Sequence, residues 1–570
     1  MNRRIKVGSA TLQLTKDHYR AAGGEAMIYV HNGMAYKLYH DPKKMLPVGK
    51  IKELGTIGNP HVMIPKDVVF DATSGEPIGF TLNFVENVEP FVKLVTKAFK
   101  EDNHVTPAMC VELVKAMQLV VADVHKAKCL VVDLNELNVL VNVKSNMSPF
   151  FIDADSYATP NFRATAIMDS IRDRRVSVIQ NGKIYYNADT LSDWFSWGVL
   201  AFWLYINAHP YRGRHPKYSA KELHRQMDDG MSIFHPGVRM PPTTNPLTVI
   251  PARHLEWFKA VFGKGERSVP PLPDSIAPIA VPASVVIIHG TDKLDVKEIG
   301  AWPEPVILVY KNNGVTYVLT NRHIYVGQKE VTTFNKVEKL LLATAEDGGL
   351  VVAALSGSTV YFTDHARGPV VGSMSTRGMF ARNGAIYTVS NGKLIENTFT
   401  AMNNRLHHRT KSVENLSQFT ATLYDGCVIQ DLLGVYYLAV PYAKGACCNR
   451  PVHELKGYRV VDAKAERNVV VVLAEKGGKY DRFIIVFDKD FRSLEVRKAE
   501  NVAYDTINFT VVSSGLCLLL TNPGEVELFT NAKQFETLSD PPFDSAMRLF
   551  NNEDGVFFIN GNSIHQIKRK

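Results

Sequence analysis

A proline-rich stretch divides the chain into two parts. Residues 268–283, SVPPLPDSIAPIAVPA, hold five prolines in sixteen positions. Proline has no backbone N–H to donate, so it is excluded from helix interiors and from central strands. Such a stretch is typical of a semi-rigid linker. A chain of 570 residues is also too long for one hydrophobic core. We therefore predict two folded parts, residues 1–267 and 284–570.

The second part repeats one pattern, in which a turn containing glycine or asparagine separates two apolar runs. Examples are GVTYVLTNRHIYVG from Gly314, GLVVAALSGSTVYFT from Gly349 and GVFFINGNSIHQI from Gly555. Hairpins that recur without long helical segments are typical of radially arranged sheets. We predict an all-β domain, a β-propeller of six or seven blades, with a pair of β-sandwiches as the alternative.

The first part mixes strand and helix signals. Residues 10–40 and 61–86 alternate β-branched or aromatic runs with polar turns, which predicts a small sheet. Thr106 and Pro107 supply an N-cap and a first helical residue, and apolar residues follow at helical spacing. A second helix, residues 191–205, is apolar on nearly all sides, as a central helix would be. We predict a β-rich lobe, residues 1 to about 85, and an α-rich lobe, residues 86–267.

Charge and cysteine content restrict the partners. The net charge is +8, and nearly all of it lies in the first part. This surplus suits an anionic ligand such as a nucleotide, but it is not the clustered basic stripe of a nucleic-acid-binding protein. No apolar run approaches the roughly 20 residues that span a bilayer. The six cysteines are too scattered for a disulfide framework. We therefore expect a cytoplasmic protein without membrane or nucleic-acid partners.

The residues that could carry chemistry lie in one stretch of the first part. Asp133 and Asn138 are five residues apart, and Asp153 follows after a hairpin pattern, in the string FFIDADS. These residue types can place a base, an amide ligand and a carboxylate ligand of Mg²⁺ around one phosphate group. At this point the sequence resembles the protein kinase family. The string I-D-A-D-S resembles the I-D-x-D-S pattern that replaces D-F-G in a divergent group of bacterial and phage kinases.

The resemblance continues in order along the first part. Residues 23–29, GGEAMIY, look like a reduced glycine-rich loop, and residues 35–38, AYKL, resemble the V-A-I-K strand. Residues 82–85, LNFV, are similar to the gatekeeper and hinge. Residues 193–199, DWFSWGV, resemble the D-x-W-S-x-G start of the central helix, and residues 209–213, HPYRG, resemble the H-P-F-x-G that often follows it. The resemblance implies a bilobal α+β kinase-like fold.

The resemblance also implies an activity, the ATP- and Mg²⁺-dependent phosphorylation of a serine or threonine hydroxyl on a protein substrate. Asp133 would accept the proton of that hydroxyl, and Lys37 would contact the α- and β-phosphates. Asn138 and Asp153 would bind Mg²⁺. Because this half would hold the chemistry, we expect the C-terminal β domain to recruit a substrate or another protein partner through its loops.

Five further residues would hold the nucleotide if the resemblance is correct. Gly23 and Gly24 would let backbone N–H groups approach the phosphates. Asn83 and Val85 would hold adenine through backbone groups of the hinge. Glu53 is the acidic residue between positions 42 and 66, so it would be the carboxylate that pairs with Lys37.

The sequence departs from the family at two places. Val131 and Val132 stand where the family has His-Arg, so activation through a loop phosphate is not expected. No A-P-E triplet lies between residues 156 and 190, where the arginine-rich string SIRDRRVSV stands instead. These arginines could hold an anionic substrate or could form a solvated loop. A nucleotide-binding pseudokinase scaffold and a small-molecule kinase therefore remain alternatives.

Overall fold

The structure, a computed structural model, divides into two compact units, Met1–Val286 and Ile287–Lys570. It describes residues 3–23, 25–164, 166–180, 184–219, 222–240, 244–273, 290–291, 293–334, 338–366, 368, 370–403, 405–522 and 524–570. The described part of the predicted linker, residues 268–273, packs on the first unit. Trp257 donates through Nε1 to the Ser268 hydroxyl at 3.1 Å, and Gln118 donates through Nε2 to the Pro270 carbonyl at 2.8 Å.

The first unit begins with an antiparallel sheet of seven strands in the order β2-β1-β6-β7-β5-β4-β3. Its strands are β1 (Arg3–Val7), β2 (Ala10–Leu14), β3 (Tyr19–Ala22), β4 (Ala26–His31), β5 (Met34–Tyr39), β6 (Val68–Asp71) and β7 (Pro77–Asn83). Helix α1 (Val48–Leu54) connects β5 to β6. Strand β5 lies between β4 and β7, with Lys37 opposite Ile28 and Phe80. A Cβ on Gly79 would overlap the Lys37 carbonyl oxygen, so the close approach of β7 to β5 requires glycine there.

Helices dominate the remainder of the first unit. They are α2 (Phe91–Leu94), α3 (Lys97–Asp102), α4 (Pro107–Lys126), α5 (Thr190–Ile206), α6 (Leu223–Asp228) and α7 (Ala252–Phe258). The short strands among them are β8 (Glu89–Pro90), β9 (Val139–Asn142), β10 (Ser148–Phe151), β11 (Val178–Gln180) and β12 (Ile184–Tyr186). Thr106 caps α4 by accepting from the Met109 N–H. Helix α5 is buried from Ser192 to Ile206. Both predicted helices are confirmed.

The described part of the second unit forms seven antiparallel sheets of four strands each. Its first strand is β13 (Leu294–Ala301). Each sheet is called a blade. Blade 1 consists of β14 (Val306–Asn312), β15 (Val315–Thr320), β16 (His323–Val326) and β17 (Lys329–Thr333). Blade 2 consists of β18 (Lys339–Thr344), β19 (Leu350–Ser356), β20 (Thr359–Asp364) and β21 (Val370–Ser375). Blade 3 consists of β22 (Met379–Arg382), β23 (Ala385–Ser390), β24 (Lys393–Met402) and β25 (Arg405–Asn415).

Blades 4 to 7 continue the series in chain order. Blade 4 consists of β26 (Ala421–Tyr424), β27 (Cys427–Leu432), β28 (Val435–Ala443) and β29 (Ala446–Pro451). Blade 5 consists of β30 (Arg459–Glu466), β31 (Val469–Lys476), β32 (Lys479–Phe487) and β33 (Leu494–Val502). Blade 6 consists of β34 (Phe509–Val511), β35 (Cys517–Asn522), β36 (Glu525–Phe529) and β37 (Phe535–Ser539). Blade 7 consists of β38 (Arg548–Asn552), β39 (Gly555–Asn560), β40 (Ser563–Arg569) and β13.

Blade 7 closes the ring, because β13 from the start of the unit pairs with β40 from its end, Leu294 opposite Arg569. Alternate residues of a strand pack on different neighbouring blades. In β31, Val470 and Val472 share a core with blade 4, whereas Val469 and Val471 share one with blade 6. Both faces are buried, so the strand reads as a continuous apolar run. The described residues of the unit form a β-propeller of seven blades, and their seven separate sheets do not fit the alternative of paired β-sandwiches.

Two further features of the structure concern its helices and its cysteines. Within the described ranges, no helix combines the length and the apolar character that crossing a membrane requires. The six cysteines carry free thiols, and five of them are buried.

Candidate functional site

A hairpin brings together two of the predicted site residues. Strands β9 and β10 pair from Asn142 with Ser148 to Val139 with Phe151. Asn138 directly precedes β9 and Asp153 lies two residues after β10, so both stand at the open end of the hairpin. The Ile152 N–H donates to the Asn138 carbonyl at 2.9 Å.

Asp133 lies beside Asn138 and is hydrogen-bonded on both carboxylate oxygens. Asn138 donates through Nδ2 to the Asp133 Oδ2 at 3.2 Å and to its carbonyl oxygen at 3.1 Å. The Met168 N–H donates to Oδ1 at 2.7 Å. Burial raises the pKa of the Asp133 carboxyl above its usual value. The sequence analysis did not identify Met168, which reaches Asp133 from a loop 35 residues further along the chain.

The backbone before Asp133 is held by the carboxylate of Asp193 on α5. Asp193 is fully buried and accepts from the N–H groups of Val131 and Val132, both at 2.8 Å. His125 lies 2.9 Å from the same carboxylate through Nε2. Val132 has a φ of 60°, a left-handed conformation that is strained for a β-branched residue. The two hydrogen bonds from the backbone therefore hold a strained turn that orients Asp133.

Lys37 reaches this region from β5. Its Nζ lies 3.2 Å from Oδ1 of Asp153 and 2.8 Å from Oδ2 of Asp155. Burial would lower the pKa of Lys37, but the charges of Asp153 and Asp155 hold that pKa well above its usual value. Lys37, Asp133, Asn138 and Asp153 are thus brought together. The sequence analysis did not assign a role to Asp155, although the D-x-D spacing places it one short turn after Asp153.

The predicted ion pair of Lys37 with Glu53 is wrong in this structure. The Glu53 carboxylate accepts from the Asn161 side-chain amide at 2.7 Å and from the Asn161 N–H at 3.2 Å. Helix α1 instead buries Lys50 together with Ile51 and Leu54, and Lys50 donates through Nζ to the Asp155 carbonyl at 2.7 Å. A seven-residue helix has only one buried face, and Lys50 occupies it.

The other predicted nucleotide-binding residues lie at turns and at a strand end. Gly23 donates its N–H to the Ala26 carbonyl at 2.8 Å, in the turn between β3 and β4. Gly24 lies outside the described residues. Asn83 is the last residue of β7 and accepts through Oδ1 from Lys66 at 2.7 Å, and Val85 follows two residues later.

The arginines at 172–175 are neutralised by neighbouring carboxylates. Arg172 and Arg174 both pair with Asp169, at 2.9 and 2.7 Å. Asp173 is fully buried and pairs with Arg175 at 2.9 Å and with Arg267 at 2.8 Å. The cluster fastens its loop to the unit, which argues against the use of these arginines as an anion site.

The oxygen atoms around the hairpin end suit Mg²⁺. Asn138 is anchored through its NH₂ group, which leaves its Oδ1 as the atom that can ligate a cation. The Asp153 side chain is 49% exposed. Among the described residues, no three His, Cys, Asp or Glu side chains are grouped so that they could hold a metal ion. Mg²⁺ is commonly held by one or two protein ligands together with phosphate oxygens and water, so the residues fit an ion that arrives with a nucleotide.

Comparison with known proteins found likeness only in folded structure. No protein-family model matches the chain, and no curated protein matches it. The β-propeller domain of Myceliophteria thermophila Cps50 (Swd1) is 9% identical, with 48% of this chain and 100% of that chain covered at a TM-score of 0.32. The WD40 domain of SCAP from fission yeast is 8% identical, with 48% and 94% covered at a TM-score of 0.28. The propeller assignment depends on the sheet order and not on these likenesses.

Proposed function

We propose that the first unit is a protein kinase-like domain that transfers the γ-phosphoryl group of ATP, with Mg²⁺, to a serine or threonine hydroxyl. The observation that carries this proposal is the contact of Lys37 with Asp153, which lies 116 residues further along the chain. This contact places Lys37 at the group formed by Asp133, Asn138 and Asp153. A cation, a base and two oxygen ligands in one place are the parts that phosphoryl transfer needs. The sheet followed by a helical region supports a bilobal arrangement.

Each residue has a role that its contacts support. Lys37 would place its ammonium group on the phosphates, and the β4–β5–β7 pairing fixes the strand that carries it. Asp133 would accept the hydroxyl proton, with the carboxylate oriented by Asn138 and by the loop that Asp193 holds. Asn138 and Asp153 would hold Mg²⁺, which neutralises phosphate charge when it is bound.

A nucleotide-binding scaffold without turnover is the second candidate. The Met168 N–H donates to Oδ1 of Asp133 at 2.7 Å and occupies one of the acceptor positions of this carboxylate. A chain in which the Met168 loop kept the acceptor hydroxyl away from Asp133 would bind Mg-ATP without transferring phosphate.

Replacing Asp153 with asparagine tests the metal role. The change keeps the side-chain shape but removes the charge, so Mg²⁺-dependent nucleotide binding should weaken by roughly tenfold or more. Titration calorimetry with Mg-ATP measures the affinity, and incubation with γ-labelled ATP shows whether protein or a small molecule is labelled. Asp347→Asn, in an exposed turn of the propeller, is the matched control.

The outcomes separate the candidates. Labelled serine or threonine in the wild type, lost in Asp153→Asn, supports the protein kinase. A labelled metabolite supports a small-molecule kinase, and Mg-ATP binding without label supports the scaffold. Wild-type affinity in Asp153→Asn contradicts the metal role.

The propeller is proposed to recruit the protein substrate or a partner. Its seven blades present many loops on a rigid ring, and loops on rigid scaffolds commonly bind partners. A chain that ends at residue 286 should keep Mg-ATP binding and should label a generic substrate such as casein at the wild-type rate. In a cell lysate, it should lose the proteins that the full chain labels preferentially, as measured by mass spectrometry. Identical lysate targets for both chains would contradict recruitment by the propeller.

A further inference from the structure

The carboxylate of Asp155 accepts two hydrogen bonds at one oxygen. Lys37 donates through Nζ to Oδ2 at 2.8 Å, and the Tyr39 hydroxyl donates to the same oxygen at 3.0 Å. Lys37 and Tyr39 lie two residues apart on β5, so their side chains leave the same face of the strand. The Asp155 side chain is 12% exposed. The polar side chains of Lys37 and Tyr39, on one face of β5, therefore both contact this carboxylate.

The two aspartates near Lys37 are not equivalent. Asp153 is 49% exposed and lies 3.2 Å from Nζ, whereas Asp155 is mostly buried and lies 2.8 Å from it. The backbone of Asp155 is also anchored, because its carbonyl accepts from Lys50 at 2.7 Å. Asp155 is thus the better fixed partner of Lys37, and Asp153 is the better exposed to an incoming ion.

Helix α1 contributes a cation to this arrangement rather than an acid. Lys50, on the buried face of α1, contacts the backbone of Asp155, while Glu53 contacts Asn161. The acid that faces Lys37 is supplied by the 3₁₀ turn Ala154–Ser156. The sequence predicted that α1 would supply the acidic partner of Lys37. In the structure, that acid is Asp155 of the turn, and α1 supplies the cation Lys50 instead.

We propose that Asp155, supported by Tyr39, is the positioning residue that holds Lys37 toward the nucleotide phosphates. This inference rests on the proposed function. Asp155 does not touch the nucleotide in this role and acts through Lys37. The turn that carries Asp155 also carries Asp153 at its start, so one short segment sets both the phosphate-binding cation and the proposed metal ligand.

The test compares two ligands in the full chain. Lys37 acts on phosphates, so Asp155→Asn should weaken Mg-ATP binding by about 10- to 100-fold, the range for loss of a charged hydrogen bond, and should leave adenosine affinity unchanged. Asp155→Glu should restore part of the Mg-ATP affinity. Tyr39→Phe removes one hydrogen bond and should weaken Mg-ATP binding by about threefold to tenfold. Titration calorimetry with each ligand gives the affinities.

The contrasting variant is Glu53→Gln, which should bind Mg-ATP as the wild type does. Equal Mg-ATP affinity in the wild type and in Asp155→Asn would overturn the inference, as would a loss confined to Glu53→Gln. Equal loss of adenosine and Mg-ATP would show a general structural effect and would also overturn it. If Asp155→Asn does not fold, the Tyr39→Phe variant provides the test. A Tyr39→Phe variant that binds Mg-ATP as tightly as the wild type would then reject the proposed positioning role of Asp155. A wild type that binds neither ligand would refute the proposed function, and this inference with it.

Discussion

Asp133→Asn should lower the rate of phosphoryl transfer by about 10²- to 10⁴-fold, the range for loss of a positioned base, while Mg-ATP binding persists. Asparagine keeps the shape of the side chain and can still accept the Met168 N–H, which donates to Oδ1 at 2.7 Å in the wild type. Its NH₂ group replaces Oδ2, so the hydrogen bond from Asn138 Nδ2, 3.2 Å long in the wild type, is lost. It cannot take the proton of the acceptor hydroxyl. Initial rates with γ-labelled ATP measure the effect, and calorimetry checks that the nucleotide still binds.

Asp123→Asn is the matched control for this variant. Asp123 lies near the end of α4, where it forms a surface ion pair with Lys126 at 2.7 Å, and such pairs contribute little to stability. Its Oδ2 accepts from Asn59 Nδ2 at 2.8 Å, a hydrogen bond that the oxygen of an asparagine can still accept. The control should label substrate at the wild-type rate. An unchanged rate in Asp133→Asn would exclude Asp133 as the base, and parallel loss of rate and Mg-ATP affinity would assign it a structural role instead.

The proximities that sequence spacing predicted best are those fixed by local structure. Asp133 and Asn138 belong to one loop, and a single hairpin returns Asp153 to Asn138, so their spacing along the chain determines their meeting. Lys37 was predicted from its strand motif, and its arrival at Asp153 depends on how the sheet packs. The family resemblance, and not the spacing alone, supplied that step.

The partner of Lys37 could not be predicted in the same way. Which residue of α1 faces the site depends on how a seven-residue helix docks, and Lys50 and Glu53 both lie on it. Their sequence positions do not decide between them. Asp155 was visible in the I-D-A-D-S string, but its burial and its contact with Tyr39 depend on tertiary packing.

The sequence also predicted the propeller only in part. Alternating turns and apolar runs predicted its hairpins, because strand pairing within a blade is local. The completion of blade 7 depends on the pairing of β13 with β40, strands at opposite ends of the unit. No local pattern encodes that pairing, so the sequence predicted the hairpins but not how the ring closes.

Asp193→Asn should lower the stability of the first unit by about 3 kcal/mol, the lower end for breaking a buried charged network. The wild-type carboxylate accepts from the N–H groups of Val131 and Val132 at 2.8 Å each. An amide side chain has one oxygen and one NH₂ group, so it can accept from only one of these donors and must present a donor to the other. The turn would lose half of its support while Val132 keeps its strained φ of 60°.

Hydrogen exchange measures this loss within the full chain. Amides of residues 129–138 should exchange faster in Asp193→Asn, and those of β31 and β32 in the propeller serve as an internal reference that should not change. Because the turn orients Asp133, phosphoryl transfer should fall together with protection. Normal exchange in residues 129–138 with full activity would show that the strained turn holds itself without Asp193, and the orientation of Asp133 would then depend on Asn138 and Met168.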